Sequence, residues 1–232
     1  QVGGLGSSFD ATVWRDKSGQ IYVSMRGTQE GPDFSADVDL ASSGLAHQQL
    51  ADMVNWWLRA ATPALSSGGT PQFASQIAVA PNNDFVMASA VPATGELAGI
   101  GAIKSVDGHS LGGYLASAFV RLFGARWPVE SIDTFNSAGL SKPSAANIES
   151  GFTQIAQSIG TELGLGGFSG AQNNYFGQNG INVTTNTWDP IGFTQYGVRI
   201  GLFQEDLASP FYNNHSMYKL TDLLALGDAL EQ

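Results

Sequence analysis

The chain has 232 residues, a formal net charge of −10 and no cysteine. Acidity on that scale repels nucleic-acid phosphates and anionic membrane headgroups, and the absence of thiols excludes disulfides and thiolate catalysis. Hydrophobic residues make up 43% of the sequence, enough for a packed core, whereas charged residues make up only 13% and Gly, Ser, Asn, Gln and Thr fill the remainder. The length suits one domain, residues 1–232. No stretch approaches the roughly 20 apolar residues of a membrane span. Gln1-Val2-Gly3-Gly4 lacks the basic and apolar regions of a signal peptide, so a start at Gln points to a processed chain or an excised domain.

Phe9 to Arg15 alternates apolar and polar residues, Asp16-Lys17-Ser18-Gly19 is a turn signal, and Ile21 to Met25 reads as the return strand of a hairpin. Leu45, Leu50, Met53, Val54, Trp57 and Leu58 have helical spacing, with Pro63 just beyond. Residues 63–101, rich in Gly, Pro, Ser and Asn, read as an insertion or decorated loop with one short strand at 85–90. Residues 103–107 form a strand-like lead-in to Gly108-His109-Ser110-Leu111-Gly112, and an apolar helical run, 114–123, follows. A strand at 131–136, a helix over 145–163, a β-rich strand at 181–188 ending in Asp189-Pro190, and a last helix over 216–230 complete the pattern. Alternation of strands and helices predicts an α/β fold with a mostly parallel central sheet flanked by helices and an N-terminal antiparallel hairpin.

The chemistry centres on Gly108-x-Ser110-x-Gly112. In that pattern a serine sits on a tight strand-to-helix turn with its hydroxyl raised above the sheet. The helix behind it aims unpaired N–H groups at the place where an oxyanion would form. A serine needs a base, and the base needs an acid to orient it. There are three histidines. His109 adjoins Ser110, where neighbouring side chains diverge, and His47 starts a helix upstream. His215, in the polar loop Asn213-Asn214-His215-Ser216, satisfies the chain order Ser, acid, His. Asp189 closes a strand ahead of a proline, at the strand end where sites form in open α/β sheets. The competing readings are an ordinary Asp-Pro turn and a surface-loop histidine. The second oxyanion donor, besides the Leu111 N–H, is assigned to Thr28 in Met25-Arg26-Gly27-Thr28, with Arg26 tying down the loop through Asp37 or Asp39.

These motifs, in order, resemble the class 3 (fungal-type) lipase family of the α/β-hydrolases. Met25-Arg26-Gly27-Thr28 is similar to its Arg-Gly-Thr/Ser oxyanion segment, and Asp33-Phe34-Ser35-Ala36-Asp37-Val38 to its Asp-Trp-x-x-Asp-Leu segment. Thr134-Phe135-Asn136-Ser137-Ala138 resembles Thr-Phe-Gly-Ser-Pro, and Thr187-Trp188-Asp189-Pro190 matches the acid-bearing strand end. The likeness runs from about residue 9 to 226, skipping 63–101. Asn136 replaces the usual Gly, and Asp107 stands where an apolar or hydroxyl residue precedes the elbow. The segment from Gly31 to Val38 is short for a lid; residues 63–101 or 151–180 are alternative covers. Composition also resembles bacterial secreted lipases and phospholipases joined to glycine-rich calcium-binding repeats, although these 232 residues contain no such repeat.

The resemblance implies a serine carboxylic-ester hydrolase acting on triacylglycerol or phospholipid in a secreted or extracellular setting. The implied triad is Ser110, Asp189 and His215, with Thr28 and Leu111 as the oxyanion hole. No cofactor and no metal are assigned. The expected partner is an acyl-ester or lipid substrate, with transient contact at a lipid interface and no nucleic acid; oligomeric state is left open. Phe168, Phe176, Phe193 and Phe211 are candidate liners of an acyl groove. An acyltransferase using the same triad and a non-catalytic hydrolase-fold binding module are the alternatives.

Overall fold

The computed structural model describes residues 9–27, 44–141, 145–163, 172–178, 193–194, 197–203 and 221, with backbone only at 140–141, 145–147 and 193–194. β1 (Ala11–Arg15) and β2 (Ile21–Met25) form the antiparallel hairpin the alternation predicts. Its turn is closed by Asp16, whose Oδ1 accepts from the N–H groups of Ser18 and Gln20 at 2.9 and 2.8 Å, while Gly19 takes a φ of 86°. α1 (His47–Ala61) follows, then β3 (Phe73–Val79), β4 (Phe85–Pro92), β5 (Ile103–His109), α2 (Leu111–Phe123) and β6 (Val129–Phe135). The remaining elements are β7 (Leu140–Ser141), α3 (Ala145–Ile159), β8 (Gln172–Gly177), β9 (Phe193–Thr194) and β10 (Val198–Leu202).

A sheet in the order β1-β2-β5-β6-β8-β10 organises the fold. Only β1 runs antiparallel to its neighbour; the pairs β2–β5, β5–β6, β6–β8 and β8–β10 are all parallel. The protein is therefore mixed α/β with a mostly parallel central sheet. The C-terminal ends of β2, β5, β6 and β8 consequently share one edge, where ligand sites collect in parallel sheets.

The two faces of this sheet differ in chemistry. Val23, Val106, Ile132 and Gln172 are cross-strand neighbours on one face. α2 packs there, and Gln172 Nε2 donates to Ser117 Oγ at 3.0 Å. Ser24, Asp107, Asp133 and Asn173 occupy the same register row on the other face.

Beyond α2 lies an aromatic cluster. Trp57 of α1 is fully buried, its ring 4.7 Å from Phe119 and 5.4 Å from Trp127, both edge-on. This explains why the spacing of α1 is so apolar: the helix is covered by α2 on one side and by the β3–β4 hairpin on the other. Asn55 fixes that hairpin by mimicking a strand; its amide donates to Ile77 C=O and accepts from Ile77 N–H at 2.9 and 2.8 Å. Gln154 of α3 holds the start of β4, its Oε1 accepting from Phe85 N–H at 3.1 Å and its Nε2 donating to Asp84 Oδ1 at 3.0 Å.

Residues 63–101 thus contain two strands, forming a separate two-stranded sheet that does not join the central one. Only the second of these is signalled by the sequence. β8 belongs to the central sheet, so this part of 151–180 cannot act as a movable cover. No described helix is long and apolar enough to cross a membrane.

Trp57 anchors the contact between α1 and α2, so Trp57→Ala is expected to destabilise the protein by roughly 3–5 kcal/mol. Urea unfolding followed by circular dichroism checks this; a loss below about 1 kcal/mol would show that the cluster is not central.

Candidate active site

Ser110 stands between β5 and α2 with φ 56° and ψ −124°. That conformation lies outside the regions L-residues normally occupy and costs about 1–3 kcal/mol, so surrounding bonds must impose it. Ser110 N–H donates to Phe135 C=O at 3.0 Å, tying the turn to the end of β6. Its carbonyl accepts from Gly113 N–H and Ala138 N–H, both at 3.0 Å. The serine is half-buried, and Leu111, the first helical residue, is fully buried. The Leu111 N–H belongs to the first turn of α2, where no intrahelical carbonyl can reach it.

The flanking glycines are required by contact. A side chain at Gly108 would be driven into the carbonyl of Gly112, and one at Gly112 into the Met25 carbonyl and the backbone of Arg26 and Gly27. A Cβ on Gly27 would strike the His109 carbonyl and stand 3.1 Å from Ser110 Cβ. The end of β2 is therefore pressed against the serine turn. Residue 28, the predicted second oxyanion donor, follows immediately, although Thr28 itself lies outside the described residues.

On the other flank, Asn136 has φ 42° and is fully buried. Asn is among the few side chains that tolerate the left-handed region, which accounts for its presence at this turn. Its N–H donates to Tyr175 C=O at 2.8 Å and its Oδ1 accepts from Gly177 N–H at 3.1 Å. Asn136 thereby joins the ends of β6 and β8.

Behind the serine lies a row of polar groups. Asp107 and Asp133 face each other across β5 and β6. Ser105 Oγ donates to Asp107 Oδ1 at 2.5 Å and lies 3.4 Å from Asp133 Oδ2; Asn173 Nδ2 donates to Asp133 Oδ1 at 3.0 Å. Burial pushes the Asp107 carboxyl above the ordinary carboxylate value, Ser105 pulls it back, and Asp133 adds a push upward. Burial and Asp133 likewise raise Tyr175. The partner that a carboxylate in this position needs is thus a neighbouring hydroxyl.

Other expectations resolve as follows. Arg26 bonds to Asp10, Nη1 to Oδ2 at 2.9 Å; Asp37 and Asp39, the partners expected for it, lie outside the described residues. Asp10 was legible from hairpin register, since Ala11 pairs with Met25 and its predecessor must therefore face Arg26. His47 is a buried packing residue stacked on Phe85 with ring centroids 5.4 Å apart. His109 ends β5, half-buried. Phe176 lies under the Arg199 guanidinium, 4.3 Å from its ring centre. Asp189, His215, Phe168 and Phe211, the strand at 181–188 and most of the last helix lie outside the described residues, as does the side chain of Phe193.

The chain matches no family model and no curated protein.

Asp107 makes a signed prediction. Its native carboxyl binds a proton more tightly than the unfolded one, so its contribution to stability is fullest below the ordinary carboxylate range and is lost as pH rises through the raised native value. Asp107→Asn should therefore raise Tm near neutral pH, with the gain shrinking as pH falls toward about 4. An equal shift at both pH values in differential scanning calorimetry would refute the linkage.

Proposed function

We propose that the protein is a serine carboxylic-ester hydrolase of the α/β-hydrolase fold, acting on acyl lipids outside the cell. The observation that carries the reading is Ser110 held at φ 56° between a central parallel strand and the N-terminus of a helix. A serine without a chemical role has no need of so strained a turn. Asn136 at φ 42° supports the class 3 lipase resemblance at the position where the sequence departs from the family's glycine.

In this reading Ser110 Oγ attacks the ester carbonyl carbon while its proton passes to His215, which Asp189 orients. The tetrahedral oxyanion is held by the N–H groups of Leu111 and Thr28. The acyl C–O bond breaks as His215 returns the proton to the departing alcohol. Water then gives a proton to His215 and attacks the acyl-serine, releasing the carboxylic acid and restoring Ser110. The partly buried Asp107 sits three residues before the nucleophile. A site with this shoulder favours neutral acyl esters over substrates with a carboxylate next to the scissile bond.

The test is a substrate panel of short-chain nitrophenyl esters, long-chain triacylglycerol emulsions and phosphatidylcholine labelled at either acyl position. Hydrolysis of at least one is expected, and Ser110→Ala should lower kcat by roughly 10⁴-fold or more while leaving the melting temperature near wild type. Cleavage of none of these esters, or undiminished turnover by the alanine variant, would overturn the reading.

A further inference from the structure

The hydrolase reading leaves open what aims the loop at the end of β2. β2 pairs with β5 as far as Met25 opposite Gly108, and there the ladder stops. Arg26 and Gly27 continue past it toward residue 28. On the β5 side Gly27 lies against the His109 carbonyl, the Cβ of Ser110 and Gly112, an apposition that limits approach without fixing direction. On the β1 side the stub is gripped. Arg26 N–H donates to Asp10 C=O at 3.1 Å, and Arg26 Nη1 donates to Asp10 Oδ2 at 2.9 Å. One residue is thus pinned to one partner through both backbone and side chain, one step beyond the last residues of the hairpin strands.

The carboxylate is unusual in its surroundings. Asp10 is buried, whereas nearly half of the Arg26 side chain is exposed. Asp10 Oδ1 is buried with no hydrogen-bond partner among the described residues. A buried carboxylate is costly to keep for packing alone. Its charge is balanced by Arg26, and Arg26 is the residue that carries Gly27 to the serine.

We infer that Asp10 is a positioning residue: through Arg26 it sets the placement of Gly27 against Ser110, and so the start of the segment to which the hydrolase reading assigns the second oxyanion donor. This rests on the hydrolase reading and deepens it. A donor shifted by about 1 Å no longer meets the developing oxyanion and can cost on the order of 10²-fold in rate. Ground-state binding of the acyl chain does not depend on that donor, so the loss should fall on kcat.

The test is steady-state hydrolysis of 4-nitrophenyl butyrate by purified full-length variants, with thermal melting of each. Asp10→Ala should lower kcat about 10²-fold and leave KM within about twofold. Asp10→Asn keeps shape but loses the charge, and should cost about tenfold. Removing Arg26 alone strands a buried charge, so Arg26 is tested as Arg26→Lys, which should retain more activity than Arg26→Gln. Asp10→Asn combined with Arg26→Gln should be no slower than the worse single variant, because both break the same contact. Glu130→Gln, which breaks the exposed Lys104–Glu130 pair at the opposite edge of the sheet, should leave kcat unchanged.

Two failures are distinguishable. If wild type hydrolyses the ester and folded Asp10→Ala matches its kcat, or loses only in KM, the positioning role is wrong and the hydrolase reading stands. If Asp10→Ala does not fold, Asp10→Asn decides by the same criterion. If wild type cleaves no ester at all, the hydrolase reading fails and this inference fails with it.

Discussion

Everything at this site depends on backbone packed directly on backbone. Strand β5, the first turn of α2, the end of β2 and the segment after β6 converge within a few ångströms, and no side chain fits at Gly27, Gly108 or Gly112. Gly108 and Gly112 meet at the turn itself, Gly112 meets the β2 end, and Gly113 lies against Ser137, whose Cβ would be 2.7 Å from an added Cβ. Such close approach lets the Phe135 carbonyl and the Ala138 N–H reach Ser110 and hold it in an otherwise unfavourable conformation. The strain is local, but it is sustained by three strands and a helix whose own stability comes from the Trp57 cluster and the apolar face of the sheet.

The sheet divides its labour between faces. The α2 side is apolar at its centre and becomes polar toward β8, where Gln172, Ser117 and Thr134 bond among themselves in the interior. The other side carries the aspartates behind Ser110. Two carboxylates in register repel; burial raises the Asp107 carboxyl above the ordinary carboxylate value, the Ser105 hydroxyl opposes that shift and Asp133 adds to it.

Much of this architecture is legible in the residues. The Asp16 turn, the alternation on either side of it, the spacing of α1 and the apolar run of α2 each agree with local propensity, and those elements appear within a few residues of expectation. α3 ends at Ile159, before the expected 163, because Gly160 takes a φ of 65°. β8 is hidden because Gln-Asn-Asn reads as turn composition; the amides at Gln172 and Asn174 are buried strand residues, and the partners that make Gln172 tolerable are distant in sequence. β3 is hidden for a related reason, since its order depends on Asn55 lending it a strand-like partner. At the site, the G-x-S-x-G turn is written locally, whereas the Arg26–Asp10 clasp and the facing aspartates appear only once strand register is laid out.

The central claim is that Ser110 is a nucleophile, and the most direct measurement is covalent. Native protein treated with a fluorophosphonate, which phosphonylates only activated serines, is digested and mapped by mass spectrometry. The account predicts a single adduct per chain on Ser110, lost in Ser110→Ala and on heat denaturation before treatment. An unmodified native protein, or an adduct on any other residue that persists in Ser110→Ala, would contradict it.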